Sequence, residues 1–186
     1  VKATIVKHAI EMGVDPAIAL SIARTESGFR HEARSSHGAV GVFQLMPSTA
    51  RRMGYNPYSL NENIKAGITY YKKMYNMFGS VELALAAYNA GPGNVKKYRS
   101  VPPFAETRRF VSKIMTDVNR QKHSPDPAVV KAKQSAYVAQ KPKAVAPKPV
   151  TRKPTAPVVM DAKELQAEVL EERPIELKLE TLSVAI

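Results

Sequence analysis

The apolar residues of the first 122 positions recur mainly at helical spacing. Residues 61–78 place Ile64, Ile68 and Phe78 on one face, at the 3.6-residue period of an amphipathic helix. Residues 81–90 are apolar nearly all round, which is typical of a helix buried on every side. Because no stretch alternates convincingly with a period of two, we predict an all-α domain with about seven helices.

Start and stop signals place the boundaries of these helices. Gly13 fits a helix end, and Asp15 followed by Pro16 fits an N-cap and a first-turn proline. A helix that begins at Pro16 runs to about Glu26 at the same spacing. The predicted helices are residues 2–12, 16–26, 48–53, 61–78, 81–90, 92–98 and 104–121.

The composition changes after this domain. Prolines interleaved with Ala, Val and Lys occupy residues 123–157, and such a segment has too few apolar groups to offset chain entropy. We predict a disordered, polyproline-like linker there. Residues 158–186 form an acidic tail, in which residues 161–172 have the pattern of a short helix. We therefore divide the chain into a domain at 1–122, a linker at 123–157 and a tail at 158–186.

Charge narrows the classes of partner. The chain carries a net charge of +12, made up of +10 in residues 1–122, +6 in 123–157 and −4 in 158–186. This excess favours an anionic partner such as nucleic acid, an anionic lipid surface or an anionic wall polymer. No aromatic-basic interleaving or reader motif supports nucleic acid. The 123–186 region is the candidate docking arm for a protein partner.

Two further absences in the composition matter. The chain has no cysteine, which excludes disulfide scaffolds, thiol nucleophiles and cysteine metal sites. It also has no apolar run of about 18 residues, so we predict no membrane span. The four histidines show no metal-ligand spacing, and we expect neither a metal nor a cofactor. They are His8, His31, His37 and His123.

Residues 19–28, with the sequence ALSIARTESG, carry the first candidate for chemistry. Apolar residues such as Leu20 and Ile22 predict that this helix is buried on most sides. The helix ends in Glu26, so a carboxyl group stands where apolar walls meet a cleft. Because burial disfavours the charged form of a carboxyl group, we predict that Glu26 is a proton donor.

Two other segments place polar residues beside apolar ones. Gln44 lies inside the run AVGVFQLMP of residues 39–47, and a buried Gln needs hydrogen-bond partners in the protein or in a ligand. Tyr88 and Asn89 end the buried helix of residues 81–90. A structural role in hydrogen bonding remains an alternative for Gln44 and Tyr88.

Four segments, taken in order, resemble the soluble lytic transglycosylase (SLT) domain family, whose fold is related to that of goose-type lysozyme. The resemblance covers residues 1–122, and its specificity comes from the order and spacing of all four segments. One departure is Phe110, where the family commonly has Tyr. The segments are Glu26-Ser27, Gly41-Val42-Phe43-Gln44, Ala87-Tyr88-Asn89-Ala90-Gly91, and Glu106-Thr107 leading to Phe110-Val111.

The resemblance implies a reaction on peptidoglycan. Glu26 would first protonate the β-1,4 glycosidic oxygen between N-acetylmuramic acid and N-acetylglucosamine. With the muramyl N-acetyl group stabilising the cation, the same Glu26 would then deprotonate the 6-hydroxyl, which closes a 1,6-anhydro ring. One residue that acts as acid and then as base needs a pKa near the working pH.

The resemblance also implies supporting roles. Gln44 would hold an N-acetyl or hydroxyl group, and Met46 and Phe43 would form apolar walls. Glu106 would bind or orient substrate, and an ion pair with Arg30, Arg108 or Arg109 is an equal alternative. The residues expected to contact substrate are Ser27, Gln44, Met46, Tyr88, Asn89 and Glu106.

Other functions remain open at this point. A lysozyme-like hydrolase would need a second carboxylate, for which Glu32 and Glu62 are candidates outside any recognisable motif. A non-catalytic wall-binding module of a secretion or conjugation machine or of a phage particle is a further alternative. We expect a periplasmic or envelope-facing location after removal of a leader, or carriage by a phage virion.

Overall fold

Helices form at all seven predicted positions, with bounds that agree to within two residues. The computed structural model of the chain describes residues 1–140 and contains no strand in that range; isolated bridges pair Val40 with Arg34 and with Leu45. The helices are α1 (Lys2–Glu11), α2 (Pro16–Ser27), α3 (Pro47–Arg52), α4 (Leu60–Phe78), α5 (Val81–Ala90), α6 (Pro92–Tyr98), α7 (Ala105–His123) and α8 (Pro127–Gln140).

The ends of α2 follow from its sequence. Asp15 is the N-cap, and its Oδ1 accepts a hydrogen bond of 2.8 Å from the backbone N–H of Ala17. Gly28 closes the helix in the left-handed conformation, with a φ of 61°, which glycine adopts without steric cost. These two caps place Glu26 in the last turn of α2.

Helix α5 lies at the centre of the helical core. Four consecutive residues, Ala84, Leu85, Ala86 and Ala87, have no exposed surface. Helices α4, α6 and α7 pack around α5, while α1 packs against α2 and α4. The predicted central buried helix is therefore confirmed, and the helices packed around it fix the position of its carboxyl end.

Helix α8 corrects the prediction of an extended linker, which is wrong for residues 127–140. Asp126 precedes Pro127 and accepts a 3.0 Å hydrogen bond from the backbone of Ala128, so the proline occupies the first turn where its missing N–H costs nothing. Residues 128–140 contain no further proline. Val129 packs into the core with 7% of its surface exposed.

The helical domain therefore extends well past residue 122. The predictions for residues 141–157 and for the acidic tail at 158–186, including its short helix and its partner, lie outside the described residues. None of the helices within residues 1–140 combines the length and the hydrophobicity that crossing a bilayer requires.

A polar network joins α8 to three other helices. The Asp126 carboxylate contacts Lys2 of α1 at 2.9 Å and Arg24 of α2 at 3.3 Å. Arg24 also contacts Asp117 of α7 at 3.0 Å. The neighbouring cations hold the pKa values of Asp117 and Asp126 below their usual range, against the opposing effect of burial. Through Arg24, the network therefore holds α2 in place only two residues before Glu26.

We expect a chain cut after residue 122 to be less stable than one cut after residue 140. The shorter chain loses the buried Val129 and the two ion pairs of Asp126. The expected difference in the free energy of unfolding is about 2–4 kcal/mol. Urea denaturation of the two proteins, followed by circular dichroism, measures it.

A matched pair of substitutions in the full chain isolates the packing part of this effect. Val129→Ala should cost about 1–2 kcal/mol because the side chain is buried. Val130→Ala, at a position 40% exposed, should stay within about 0.5 kcal/mol of the original protein. Equal stability of both variants would contradict the docking of α8.

Candidate active site

A cleft of about 410 Å³ opens where the carboxyl ends of α2 and α5 meet the amino end of α7. Its remaining wall comes from the segment between α2 and α3, and Tyr70 of α4 contributes a ring. The cleft combines two carboxyl groups, two amides, two phenols, two aliphatic hydroxyls and an imidazole with apolar groups. Its lining residues are Glu26, Ser35, His37, Ala39, Gln44, Leu45, Met46, Thr49, Tyr70, Tyr88, Asn89, Ala90, Gly91 and Glu106.

Glu26 has the most perturbed acidity among the described carboxyl groups. Burial raises its pKa from 4.5 to about 8, and the nearby Glu106 carboxylate acts in the same direction. Its position in the last turn of α2 also disfavours negative charge, because helix carboxyl ends carry partial negative charge. No group within residues 1–140 donates or accepts a hydrogen bond at the Glu26 carboxyl group. The acid is therefore held protonated near neutral pH and is free to serve a ligand.

Residues 40–45 form a closed turn that we call the Gln44 loop. Val40 and Leu45 exchange backbone hydrogen bonds of 3.0 and 3.2 Å across it. Gln44 has a positive φ of 45°, and its Nε2 donates to the carbonyl oxygens of Ala33 and Gly41 at 3.1 and 2.8 Å. Because these bonds use the NH₂ group, the carboxamide oxygen is the group that Gln44 offers to the cleft.

Three side chains from three helices hold the Gln44 loop. Asn63 of α4 accepts from the N–H of Phe43 at 3.0 Å and donates to the carbonyl of Val40 at 3.0 Å. Ser27 of α2 donates to the carbonyl of Val42 at 2.8 Å, and Tyr88 of α5 donates to the carbonyl of Phe43 at 2.8 Å. All three side chains are buried, so the loop is fixed to the helical core.

The structure corrects the prediction that Ser27 contacts substrate. Ser27 is only 4% exposed, and its hydroxyl bonds to the loop rather than facing the cleft. Phe43 is likewise not a wall of the cleft, since it is fully buried. Its ring occupies the space beside Gly67 of α4, where an added Cβ would lie 2.2 Å from the ring. Ser27 and Phe43 both stabilise the Gln44 loop from its buried side.

Tyr88 combines a structural role with a place in the cleft. Its hydroxyl proton is used by Phe43, so it supplies no free donor to a ligand. Burial, then the charge of Glu26, raises the pKa of Tyr88 well above its usual value, which keeps the hydroxyl protonated. The ring packs edge-on against Tyr70 at 5.2 Å and parallel to Phe110 at 6.3 Å between centroids. It forms an aromatic wall beside the acid.

The other predicted site residues reach the cleft. Asn89 accepts a 2.8 Å hydrogen bond from Thr107, which leaves its NH₂ group to face a ligand. Met46 is 44% exposed and lines the rim. Glu106 also lines the cleft, and no ion pair joins it to an arginine in residues 1–140. The ion-pair alternative for Glu106 therefore has no support in the structure.

The sequence pattern does not single out three residues that shape the site. Tyr70 of α4 and His37 line the cleft. Asn63 of α4 is fully buried and holds the Gln44 loop. A polar Asn next to Ile64 in the apolar stripe of α4 was the available signal for Asn63.

Comparisons with known proteins agree with this architecture. The family model described as transglycosylase SLT domain matches residues 4–111. A transglycosylase of Enterobacteria phage PRD1 is 29% identical over 137 residues, which is 73% of this chain and 49% of that protein. The soluble lytic murein transglycosylase of Escherichia coli strain K12 is 33% identical over 128 residues, with coverage of 55% and 20%.

Solved structures show the same fold. An inactive variant of the lytic transglycosylase Slt from Pseudomonas aeruginosa, in which one glutamate is replaced by glutamine, matches with a TM-score of 0.58 and 32% identity. The 70 kDa soluble lytic transglycosylase of Escherichia coli matches with a TM-score of 0.59 and 27% identity. Each match covers 68% of this chain and 25% of the other. The predicted all-α, lysozyme-like fold is confirmed, while the matched region makes up only half or less of these relatives.

Proposed function

This chain belongs to the transglycosylase SLT domain family, and from that premise we propose that it is a peptidoglycan lytic transglycosylase. It cleaves the β-1,4 bond between N-acetylmuramic acid and N-acetylglucosamine and leaves a 1,6-anhydromuramyl end. Glu26 is its single acid and base. The observation that carries the proposal is the Glu26 carboxyl group, without a hydrogen-bond partner in the cleft and with its pKa raised to about 8.

The first step uses the protonated form of Glu26. At pH 7 a carboxyl group with a pKa of about 8 is roughly nine-tenths protonated. The proton passes to the glycosidic oxygen as the bond to the anomeric carbon breaks, and the leaving sugar departs as an alcohol. The carboxylate that forms then lies next to the positive charge developing on the muramyl ring, which it stabilises.

The second step uses the carboxylate as a base. Glu26 accepts the proton of the muramyl 6-hydroxyl, and that oxygen attacks the anomeric carbon to close the anhydro ring. The step returns Glu26 to its protonated form and consumes no water. A pKa near the working pH serves both directions of proton transfer, and the burial that raises it also limits access of water.

The walls of the cleft suit an N-acetylated sugar. The Gln44 carboxamide oxygen accepts from an amide N–H or a hydroxyl of the sugar, and the Asn89 NH₂ group donates to a carbonyl or hydroxyl oxygen. Met46 packs against the acetyl methyl group or a ring face. The ring of Tyr88, stacked on Phe110 and edge-on to Tyr70, gives the cleft an aromatic surface beside the acid.

Hydrolysis is the second candidate reaction, and the position of Glu106 favours it. Glu106 shares the cleft with Glu26 and lies close enough to raise its pKa, so it could activate a water molecule on the opposite face of the sugar. Glu32 and Glu62 lie outside the cleft lining, and Glu62 instead accepts a 2.6 Å hydrogen bond from the backbone of Asn56. The product decides between the two reactions.

We expect digestion of purified sacculi to release fragments that end in 1,6-anhydromuramic acid. Mass spectrometry distinguishes these fragments from reducing ends, which are heavier by one water. A second digestion in H₂¹⁸O should leave the ends unlabelled, because no water enters the intramolecular reaction. Reducing ends that carry the heavy oxygen would replace this proposal with hydrolysis.

The setting of the activity follows from the substrate. Peptidoglycan lies outside the cytoplasmic membrane, so the enzyme acts in the periplasm or is delivered to the wall by a phage particle. The two kinds of similar protein, a phage transglycosylase and a soluble lytic murein transglycosylase, support both settings.

A further inference from the structure

Another cavity, of about 320 Å³, lies at the ends of α2 and α5 that are remote from the cleft. Asp15 and Ile18 line it at the amino end of α2, and Val81 lines it where α5 begins. Glu26 follows Asp15 by 11 residues, which is about 16 Å along the helix. Among the described residues, none lines both the cleft and this cavity. It is therefore a separate site, which we call the Tyr75 cavity.

Two tyrosines of α4 form one wall of the Tyr75 cavity. The rings of Tyr71 and Tyr75 are stacked, with centroids 6.3 Å apart and planes inclined by 27°, and both residues line the cavity. Tyr71 is buried, whereas Tyr75 is 42% exposed. Tyr75 therefore offers an accessible aromatic surface whose position is supported by a buried ring.

The hydroxyl of Tyr71 has no protein partner. No group within residues 1–140 forms a hydrogen bond with it, although only 4% of the residue is exposed. The described polar atoms that are both sealed from solvent and unpartnered belong to His31 and Gln121, so the Tyr71 oxygen keeps access to the cavity that it lines. Because buried polar groups are almost always hydrogen-bonded, this hydroxyl is satisfied by water or by a ligand in the cavity.

One carboxylate and one ammonium group balance each other in the Tyr75 cavity. Asp15 uses Oδ1 to cap α2, which leaves its other oxygen as an acceptor. Burial, then Tyr75 and Asp15, raises the pKa of Tyr71 above its usual value, so its hydroxyl stays protonated and can donate. Lys72 lines the same cavity and donates to the carbonyl of Met12 at 2.6 Å. The described lining therefore has no net charge and favours a neutral ligand over an anion or a cation.

The walls of the cavity are fixed before any ligand arrives. The bond from Lys72 to Met12 joins α4 to the residue that ends α1. The backbone N–H of Val14 donates to the carbonyl of Ala9 at 2.8 Å, and Val14 and Ile18 form a buried apolar floor. Preformed cavities of this kind are typical of small-molecule sites, which span about 300–1,000 Å³. The volume here is at the lower end of that range and suits a ligand of about one sugar ring.

We propose that the Tyr75 cavity is a second saccharide site, which holds one sugar residue of a wall glycan away from the cleft. A sugar is a neutral ring whose hydroxyls donate and accept, and its C–H faces pack on aromatic rings. These features match the Tyr75 ring, the Tyr71 hydroxyl and the Asp15 carboxylate. The choice of a wall glycan among saccharides rests on the proposed function. A polymer held at two sites dissociates less readily than a fragment held at one, because a released site rebinds at a high effective concentration.

Nuclear magnetic resonance of the full chain locates the site. The Glu26→Gln variant, which leaves the ligand uncleaved, is titrated with a β-1,4-linked tetramer of N-acetylglucosamine. We expect one group of shifted backbone amide signals from the cleft and a second group from Gly13, Asp15 and Lys72. Adding Tyr75→Ala should weaken the binding that the second group reports by about tenfold or more. Shifts that are confined to the cleft overturn the proposal.

Pelleting with purified sacculi measures the consequence for the polymer. In the Glu26→Gln background, Tyr75→Ala should raise the dissociation constant about tenfold. Tyr71→Phe keeps the buried ring and removes only the hydroxyl, and should raise it about threefold. Tyr98→Ala is the matched control, because Tyr98 is 39% exposed, packs on the ring of Phe104 and lines neither the cavity nor the cleft. It should change the constant by less than about twofold.

Two results of the pelleting experiment would overturn the proposal. One is an equal loss of binding in Tyr75→Ala and in the Tyr98→Ala control. The other is unchanged binding in both Tyr75→Ala and Tyr71→Phe.

The proposed function is tested separately, by digestion of sacculi with the unsubstituted chain. Release of fragments, combined with no shift in the second group of signals, refutes the cavity proposal alone. Shifts in the second group without any release refute the proposed function, while the cavity remains a saccharide site.

Discussion

Glu26→Gln should reduce the release of anhydromuramyl fragments by about a thousandfold or more. Glutamine fills the same space in the last turn of α2 but can neither donate a carboxyl proton nor accept one as a carboxylate. This loss should appear in the turnover rate rather than in affinity. The Glu26 carboxyl group has no hydrogen-bond partner within residues 1–140, so the substitution breaks no contact that shapes the cleft. The measurement is the initial rate of release from purified sacculi.

Glu32→Gln is the matched control, because Glu32 is exposed and lies outside the cleft lining. It should keep the original rate within about twofold. Glu106→Gln should be active as well. Because the charge of Glu106 helps raise the pKa of Glu26, this variant should have a lower Glu26 pKa. Its rate should therefore begin to fall at a lower pH than the rate of the original protein. If Glu26→Gln released fragments at the rate of the Glu32→Gln control, Glu26 would not be the catalytic acid.

The raised pKa of Glu26 also predicts how the stability of the protein depends on pH. A group whose pKa rises from 4.5 to about 8 on folding binds its proton more tightly in the folded state. The stability that this provides is complete below pH 4.5 and is lost as the pH rises towards 8. Glu26→Gln, which does not titrate, should therefore become more stable than the original protein over this window, by on the order of 2–3 kcal/mol at pH 7. Urea denaturation at pH 4, 7 and 9 measures the difference.

Asn63→Ala should abolish a stable Gln44 loop. The side chain of Asn63 is fully buried and satisfies the N–H of Phe43 and the carbonyl oxygens of Val40 and Pro57. Alanine leaves the N–H of Phe43 and the carbonyl oxygen of Pro57 without partners, while the carbonyl oxygen of Val40 keeps its hydrogen bond from Leu45. The loss should cost about 3–5 kcal/mol in the free energy of unfolding. Activity should fall further than the folded fraction does, because Gln44 loses its position in the cleft.

Asn76→Ala is the control for this prediction, since Asn76 is exposed on the same helix. It should stay within about 0.5 kcal/mol of the original protein and keep its activity. Denaturant titration and the rate of sacculus digestion measure both variants side by side. Equal stability of the two variants would mean that the loop does not depend on Asn63.

The sequence predicts the helices well because their signals are local. Gly13 and the Asp15-Pro16 pair mark the turn between α1 and α2, and the apolar stripes of α4 and α7 follow the helical period. The linker prediction is wrong for α8 because it rests on the average composition of the 35 residues 123–157 and not on where the prolines lie within them. Pro127 occupies the first turn, where proline is tolerated, and the proline-free stretch after it packs on α1.

The site is predicted only in part, because side-chain direction depends on tertiary contacts. Glu26, Gln44 and Asn89 reach the cleft as the pattern suggests, since each lies at the end of a helix or in a loop. Ser27 is adjacent to Glu26 in sequence but points about 100° away around the helix, towards the carbonyl of Val42. Tyr70 lies 18 residues before Tyr88, and only the packing of α4 against α5 brings the two rings together.

The attachment of the Gln44 loop to three separate helices has a consequence for how activity is lost. Ser27, Asn63 and Tyr88 can hold the loop only when α2, α4 and α5 are all docked. If any one of these helices detaches, the backbone carbonyls of the Gln44 loop become exposed to water. The cleft then lacks an ordered wall near Glu26. We therefore expect activity and the folded structure to be lost together, in a single unfolding transition.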